Sequence, residues 1–123
     1  MEFRDLRVWG EAKELVLKIY KATAQFPKTE TYGLTDQLRR ATNSICANIA
    51  EGFNRYHTKD KIKFYYNARG SISESQSHLI IALELGYIDK AFTDQMIEGL
   101  DRVRKMLNAM IRSVNRCHEL RSK

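Results

Sequence analysis

Apolar residues recur at intervals of three and four along four stretches of the chain, the spacing that places side chains on one face of an α-helix. In the first stretch Trp9, Ala12, Val16, Ile19, Thr23 and Phe26 form the stripe, with Asp5 as the N-cap candidate and Pro27 as the stop. In the second the stripe is Leu34, Leu38, Ala41, Ile45 and Ile49; Thr29 is a candidate start and Gly52 reads as the C′ residue that ends it. The third has Thr58 as a cap and places Ile62, Tyr65, Ile72, Leu79 and Leu83 on one face up to Gly86. The fourth starts behind Asp89 and carries Phe92, Met96, Leu100, Val103, Leu107, Met110 and Val114 towards His118. The pattern predicts helices over 6–26, 30–51, 58–85 and 90–118 within one domain covering 1–123. Strict alternation is missing, and so is any Asn-Gly hairpin signal. Short connections force consecutive helices antiparallel, so the predicted fold is all-α, an antiparallel up-down-up-down four-helix bundle.

The third helix departs from a single stripe. Its second half is apolar nearly all round, and Ile80, Ile81 and Leu85 point well away from Leu79 and Leu83. In a lone bundle that second face meets water, so Ile80, Ile81 and Leu85 are candidates for a subunit interface. Gly70, Ser71, Ser73, Ser75 and Ser77 precede the stretch, and small side chains let a neighbouring helix come close.

Composition narrows the class. At 123 residues with 43% hydrophobic content the chain suits one folded domain and is not disordered. Its longest apolar run, Leu79–Leu83, is far short of the ~18 residues of a membrane span, and the first residues lack the apolar stretch of a signal peptide. Two cysteines, Cys46 and Cys117, form neither a disulfide scaffold nor a metal spacing. A cytoplasmic protein with no membrane partner is the expectation.

Side chains that carry chemistry are sparse. A di-iron bundle needs Glu-x-x-His on two helices, but Glu74 and His78 are four apart and have no counterpart. The serines near Gly70 sit in no nucleophile-elbow motif, and no glycine loop cradles phosphate. The reading is therefore non-enzymatic, with no catalytic residue, metal or cofactor. On the second helix Gln37, Ser44, Asn48 and Glu51 flank the apolar stripe. Asn48, Glu51 and, on the third helix, Glu74 are expected to form a structural polar network that sets helix register.

Charge adds the main functional signal. The net charge is +6, yet residues 1–101 hold 14 basic and 14 acidic groups, so the whole excess lies in the last 22 residues. On the fourth helix Arg102, Lys105, Arg112 and Arg116 fall within an arc of about 80° pointing away from the apolar stripe. Up-down topology brings the end of that helix to the connection between the second and third. There Arg55, Tyr56, His57, Lys59, Lys61 and Lys63 are opposed by Asp60 alone. Basic groups interleaved with an aromatic suit phosphates and bases. Arg55, Lys59, Lys61, Lys63, Arg102, Lys105, Arg112 and Arg116 are thus the candidate nucleic-acid-binding residues. The alternative is a structural or protein-interaction module, an accessory subunit whose basic end is only a solvated surface.

Particular residues also resemble a known family, the bacterial 23S ribosomal RNA intervening-sequence proteins. They are Asp5-Leu6, Trp9, Phe26-Pro27 with Glu30, Gln37-Leu38-Arg39-Arg40-Ala41 and Ser44-Ile45. Asn48-Ile49-Ala50-Glu51-Gly52 followed by Arg55, then Phe64, Ala68, Gly70-Ser71, Glu74 and Leu85-Gly86-Tyr87, complete the set. Cys46 stands where many members carry proline. The resemblance implies an antiparallel four-helix bundle assembled as a ring-shaped homopentamer, in a family without a settled function. It also implies RNA or DNA as a partner, because proteins of similar fold accompany reverse transcriptases of diversity-generating retroelements and bind nucleic acid.

Overall fold

A 3-10 turn at Phe3–Asp5 opens the chain, held by the Glu2 amide, which donates to the Asp5 carboxylate at 2.9 Å. Asp5 therefore closes this turn, and the backbone of Leu6 starts the first helix. The computed structural model describes residues 1–122, in which four helices carry the fold: α1 (Arg7–Thr23), α2 (Leu34–Asn54), α3 (Thr58–Glu84) and α4 (Lys90–Ser122). No strand occurs among the described residues.

Local chemistry sets the boundaries. α1 stops three residues earlier than the stripe suggests, and Phe26 folds back through a turn ahead of Pro27. A second 3-10 turn, Lys28–Glu30, follows, and α2 starts only at Leu34, whose amide donates to the Glu30 carboxylate at 3.1 Å. Glu30, not Thr29, is thus the side chain that satisfies an orphan amide there. At the other end of α2, Gly52 lies inside the helix, which runs on to Asn54. Its role is packing: a Cβ at that position would sit 2.6 Å from the Tyr65 ring of α3. Gly86 behaves as the sequence predicts. At φ +80° it closes α3 in a Schellman motif, with Tyr87 N–H on Ala82 O and Gly86 N–H on Leu83 O, each at 2.9 Å. Asp89 caps α4, accepting the Phe92 amide at 2.8 Å.

Each helix packs on its chain neighbours, and α1 also packs on α4, so the four close into a square. Cross-helix bonds fix the directions. Along α2 and α3, Ser44 meets Ser71 while Phe53 meets Lys61. Along α3 and α4, Arg69 meets Asn108 while Gln76 meets Asp101. Late residues of one helix pair with early residues of the next, which is antiparallel packing. The core between them is Ile19, Leu38, Ile45, Ile49, Tyr65, Ile72, Leu79, Met96, Leu100, Val103 and Leu107, all buried. Buried hydroxyls of Thr23, Thr42, Ser75 and Thr93 donate to carbonyls four residues back, so they enter the core satisfied. At the α1–α2 and α3–α4 turns, the Tyr87 hydroxyl donates to Glu30 at 2.9 Å and the Phe26 and Tyr87 rings lie 5.2 Å apart. The opposite end holds the α2–α3 connection and the end of α4.

Candidate nucleic-acid interface

At that second end the chain leaves α2 at Arg55 and reaches α3 at His57, both in extended conformation, with a bend at Tyr56 between them. The Lys61 ammonium closes the α2 terminus, 2.7 Å from Phe53 O and 3.3 Å from Gly52 O, and lies 5.6 Å from the Phe53 ring centre. Partial burial draws its pKa below the usual lysine value. Arg55 lies 4.8 Å from the Phe64 ring centre and 3.1 Å from the Glu51 carboxylate. Lys61 and Arg55 therefore fasten the connection as well as charging it. Tyr56 is 88% exposed and touches His57 edge to face, with ring centres 5.2 Å apart.

Two clefts flank Tyr56. One, of about 450 Å³, lies between Tyr56 and His57 of the connection, Lys59 and Asp60 at the start of α3, and His118 and Arg121 of α4. The other, of about 370 Å³, lies between Arg55, Tyr56 and Lys61 on one side and Ser113, Val114, Cys117 and Arg121 on the other. α3 begins without a side-chain cap hydrogen bond from His57.

The predicted cations do not all converge. Arg55, Lys59 and Lys61 line the clefts; Lys63 is exposed one turn along α3, outside both. On α4 the face turned to the connection carries Val114, Cys117 and Arg121, whereas Arg112 and Arg116 are exposed and line neither cleft. Arg102 and Lys105 lie lower on the helix, beside Glu98 and Asp101 in a separate depression. Ten residues separate Arg102 from Arg112, about 15 Å of helix, so this pair stands apart from the end. The missed residue is Arg121. A fourth helix read only to 118 leaves it out, but α4 continues to Ser122 and Val114, Cys117 and Arg121 follow helical spacing. The lack of any glycine or proline after Gly99 was the available signal.

The polar flank of α2 is only partly shared. Asn48 donates to Ser44 O at 2.8 Å and Ser44 Oγ at 2.9 Å, and Ser71 of α3 donates to the same Oγ at 2.9 Å. Glu51 pairs with Arg55 just past the end of α2, and Glu74 lies 3.5 Å from His78 within α3, so their partners are not Asn48. A second network joins α3 to α4: Arg104 bonds Asp101, Gln76 and Ser73, while Gln76 also donates to Asp101 at 2.9 Å. Burial pushes the Cys46 thiol up to about 11, against a smaller opposing effect of Lys13, which keeps it protonated near neutral pH. Among the described residues no three His, Cys, Asp or Glu side chains gather in a metal-binding group. Ile80, Ile81 and Leu85 are 50%, 47% and 53% exposed on the outer side of α3.

Comparison with known proteins gives a consistent fold. A crystal structure of a protein of unknown function from the S23 ribosomal protein family of Bacteroides thetaiotaomicron VPI-5482 superposes with a TM-score of 0.76. It is 21% identical, over 85% of this chain and 97% of that one. No curated protein matches. The sequence model of the 23S rRNA-intervening sequence protein family matches residues 4–109, from just inside the first 3-10 turn to the middle of α4. The chain belongs to that family.

Proposed function

We propose that the protein is a non-enzymatic, cytoplasmic nucleic-acid-binding bundle that works as a closed homo-oligomer, a pentameric ring. The observation that carries the binding reading is that Arg121 and the exposed Tyr56 line both clefts at one end, with Lys59 beside them in the larger. Lys63, Arg112 and Arg116 extend positive potential around that end, which favours a long polyanion over a compact ligand. The ring reading rests on Ile80, Ile81 and Leu85, which half expose an apolar strip that a second subunit would cover. Cyclic repetition of the basic end would add avidity without a strong site in any one subunit. Among the described residues no helix is long and apolar enough to cross a membrane.

The test reverses charge at each end in turn. Lys59→Glu with Arg121→Glu should weaken binding of labelled RNA and DNA at least tenfold at low salt. Lys21→Glu with Lys28→Glu, the same change in net charge at the opposite end, should leave binding within about twofold. Equal losses in the two variants would reduce the interaction to net charge. Failure of the wild type to bind either polymer would favour the accessory, protein-interaction role, which the same exposed strip on α3 also suits.

A further inference from the structure

We infer that Tyr56 is a stacking platform for an unpaired base, which makes the ligand single-stranded RNA or DNA and not a duplex. The inference rests on the nucleic-acid reading above and specifies its substrate class. Tyrosine rings are usually packed, because each removes a large apolar area from water. Tyr56 instead stays 88% exposed, and its one ring contact among the described residues is the edge-to-face meeting with His57. That geometry leaves at least one face of the phenol ring open.

The position of the ring gives this exposure a use. Tyr56 lines both clefts, as Thr58 and Arg121 do, so its ring stands at the boundary shared by two concavities of about 450 and 370 Å³, within the size range of small-ligand sites. Cations lie on both sides of it: Lys59 and Arg121 in the larger cleft, Arg55 and Arg121 in the smaller. Among the described residues Asp60 is the one acid in the lining, and it keeps the larger cleft from being uniformly positive. A strand crossing that boundary can rest a base on the ring while phosphates on either side meet Lys59, Arg121 and Arg55. In a duplex both faces of each base are covered by neighbours, so only an unpaired base offers a free π-face. The phosphate contacts alone would not discriminate.

The experiment measures anisotropy of labelled 12-mers of dT, rU and an abasic deoxyribose strand, and of a 12-base-pair duplex, at one low salt concentration. The two pyrimidine strands separate DNA from RNA as the source, and the abasic strand keeps the phosphates while removing the bases. Wild type should bind dT or rU between about fivefold and a hundredfold tighter than the abasic strand, the range of one base–aromatic stack. Tyr56→Ala should erase that advantage without changing affinity for the abasic strand or duplex, and Tyr56→Phe should keep it. Tyr56→Ala binding dT and rU like wild type would overturn the stacking role while leaving the polyanion reading intact. No binding of any of the four probes would overturn both.

Discussion

Two glycine-to-alanine substitutions inside helices should change stability in opposite directions. Alanine is intrinsically favoured over glycine in a helix interior by about 1 kcal/mol, and at an open site that gain is all that changes. Gly70 of α3 is such a site, since an added Cβ meets nothing within 4 Å. Gly70→Ala should therefore stabilise by up to about 1 kcal/mol, or roughly 4 °C in Tm for a chain this size. At Gly52 the same methyl would lie 2.6 Å from Cε1 and 2.9 Å from Cδ1 of Tyr65, and 3.1 Å from Cβ of Phe64. Tyr65 is 2% exposed and packed in the core, so its ring cannot swing aside. Relief requires α2 and α3 to separate by the better part of an ångström, at the upper end of the ~1–3 kcal/mol cost of overpacking. After the helical gain, Gly52→Ala should destabilise by about 1–2 kcal/mol. Urea unfolding followed by circular dichroism, at one fixed protein concentration, measures both. A Gly52→Ala variant more stable than wild type would refute the close α2–α3 approach at the end that carries the clefts. A destabilised Gly70→Ala would place a neighbouring subunit against that glycine.

Asn48→Ala should cost about 1 kcal/mol in the same assay, because it breaks the bonds that tie Asn48 to Ser44 within α2, and a variant as stable as wild type would show that those bonds add nothing to stability. Tyr87→Phe removes the hydroxyl bond to Glu30, which is the leading cause of the raised Tyr87 pKa, ahead of desolvation and the Glu30 charge. A raised folded-state pKa means that the contribution is complete below the ordinary value of 10.0 and is lost as pH climbs through the folded value. The gap in stability between wild type and Tyr87→Phe should thus be constant below pH 10 and close above it; a gap that widens there reverses the assignment. Ile81→Asp should lower the sedimentation coefficient at micromolar concentration by placing a charge in the apolar strip of α3. A wild type that sediments as a monomer would remove the ring.

What the sequence made legible was what depends on near neighbours. Asp89 ahead of Phe92 and Gly86 behind a long apolar helix are local signals, and each acts as expected. Gly52 was not legible, because a glycine needed for close helix approach looks the same in sequence as one needed for a left-handed turn. The start of α2 depends on Glu30, four residues upstream, whose carboxylate serves both the Leu34 amide and the distant Tyr87 hydroxyl. At the basic end, topology was enough to bring the α2–α3 connection to α4, but not to set the rotation of α4 about its axis. Each residue turns the helix by about 100°, so Cys117 faces the connection while Arg116 does not. Arg121 entered only when α4 proved one turn longer than the 90–118 reading.

The most direct test of the account is the salt dependence of binding to a single-stranded 12-mer. Phosphate contacts release counterions, so log K should fall linearly with log salt, with a slope of roughly −0.7 per contact on a single strand. Lys59→Gln and Arg121→Gln should each reduce the magnitude of the slope by about that amount. Lys28→Gln at the far end should leave it unchanged. A slope near zero, or one that Lys59→Gln and Arg121→Gln do not alter, would contradict a polyanion held at this end of the bundle.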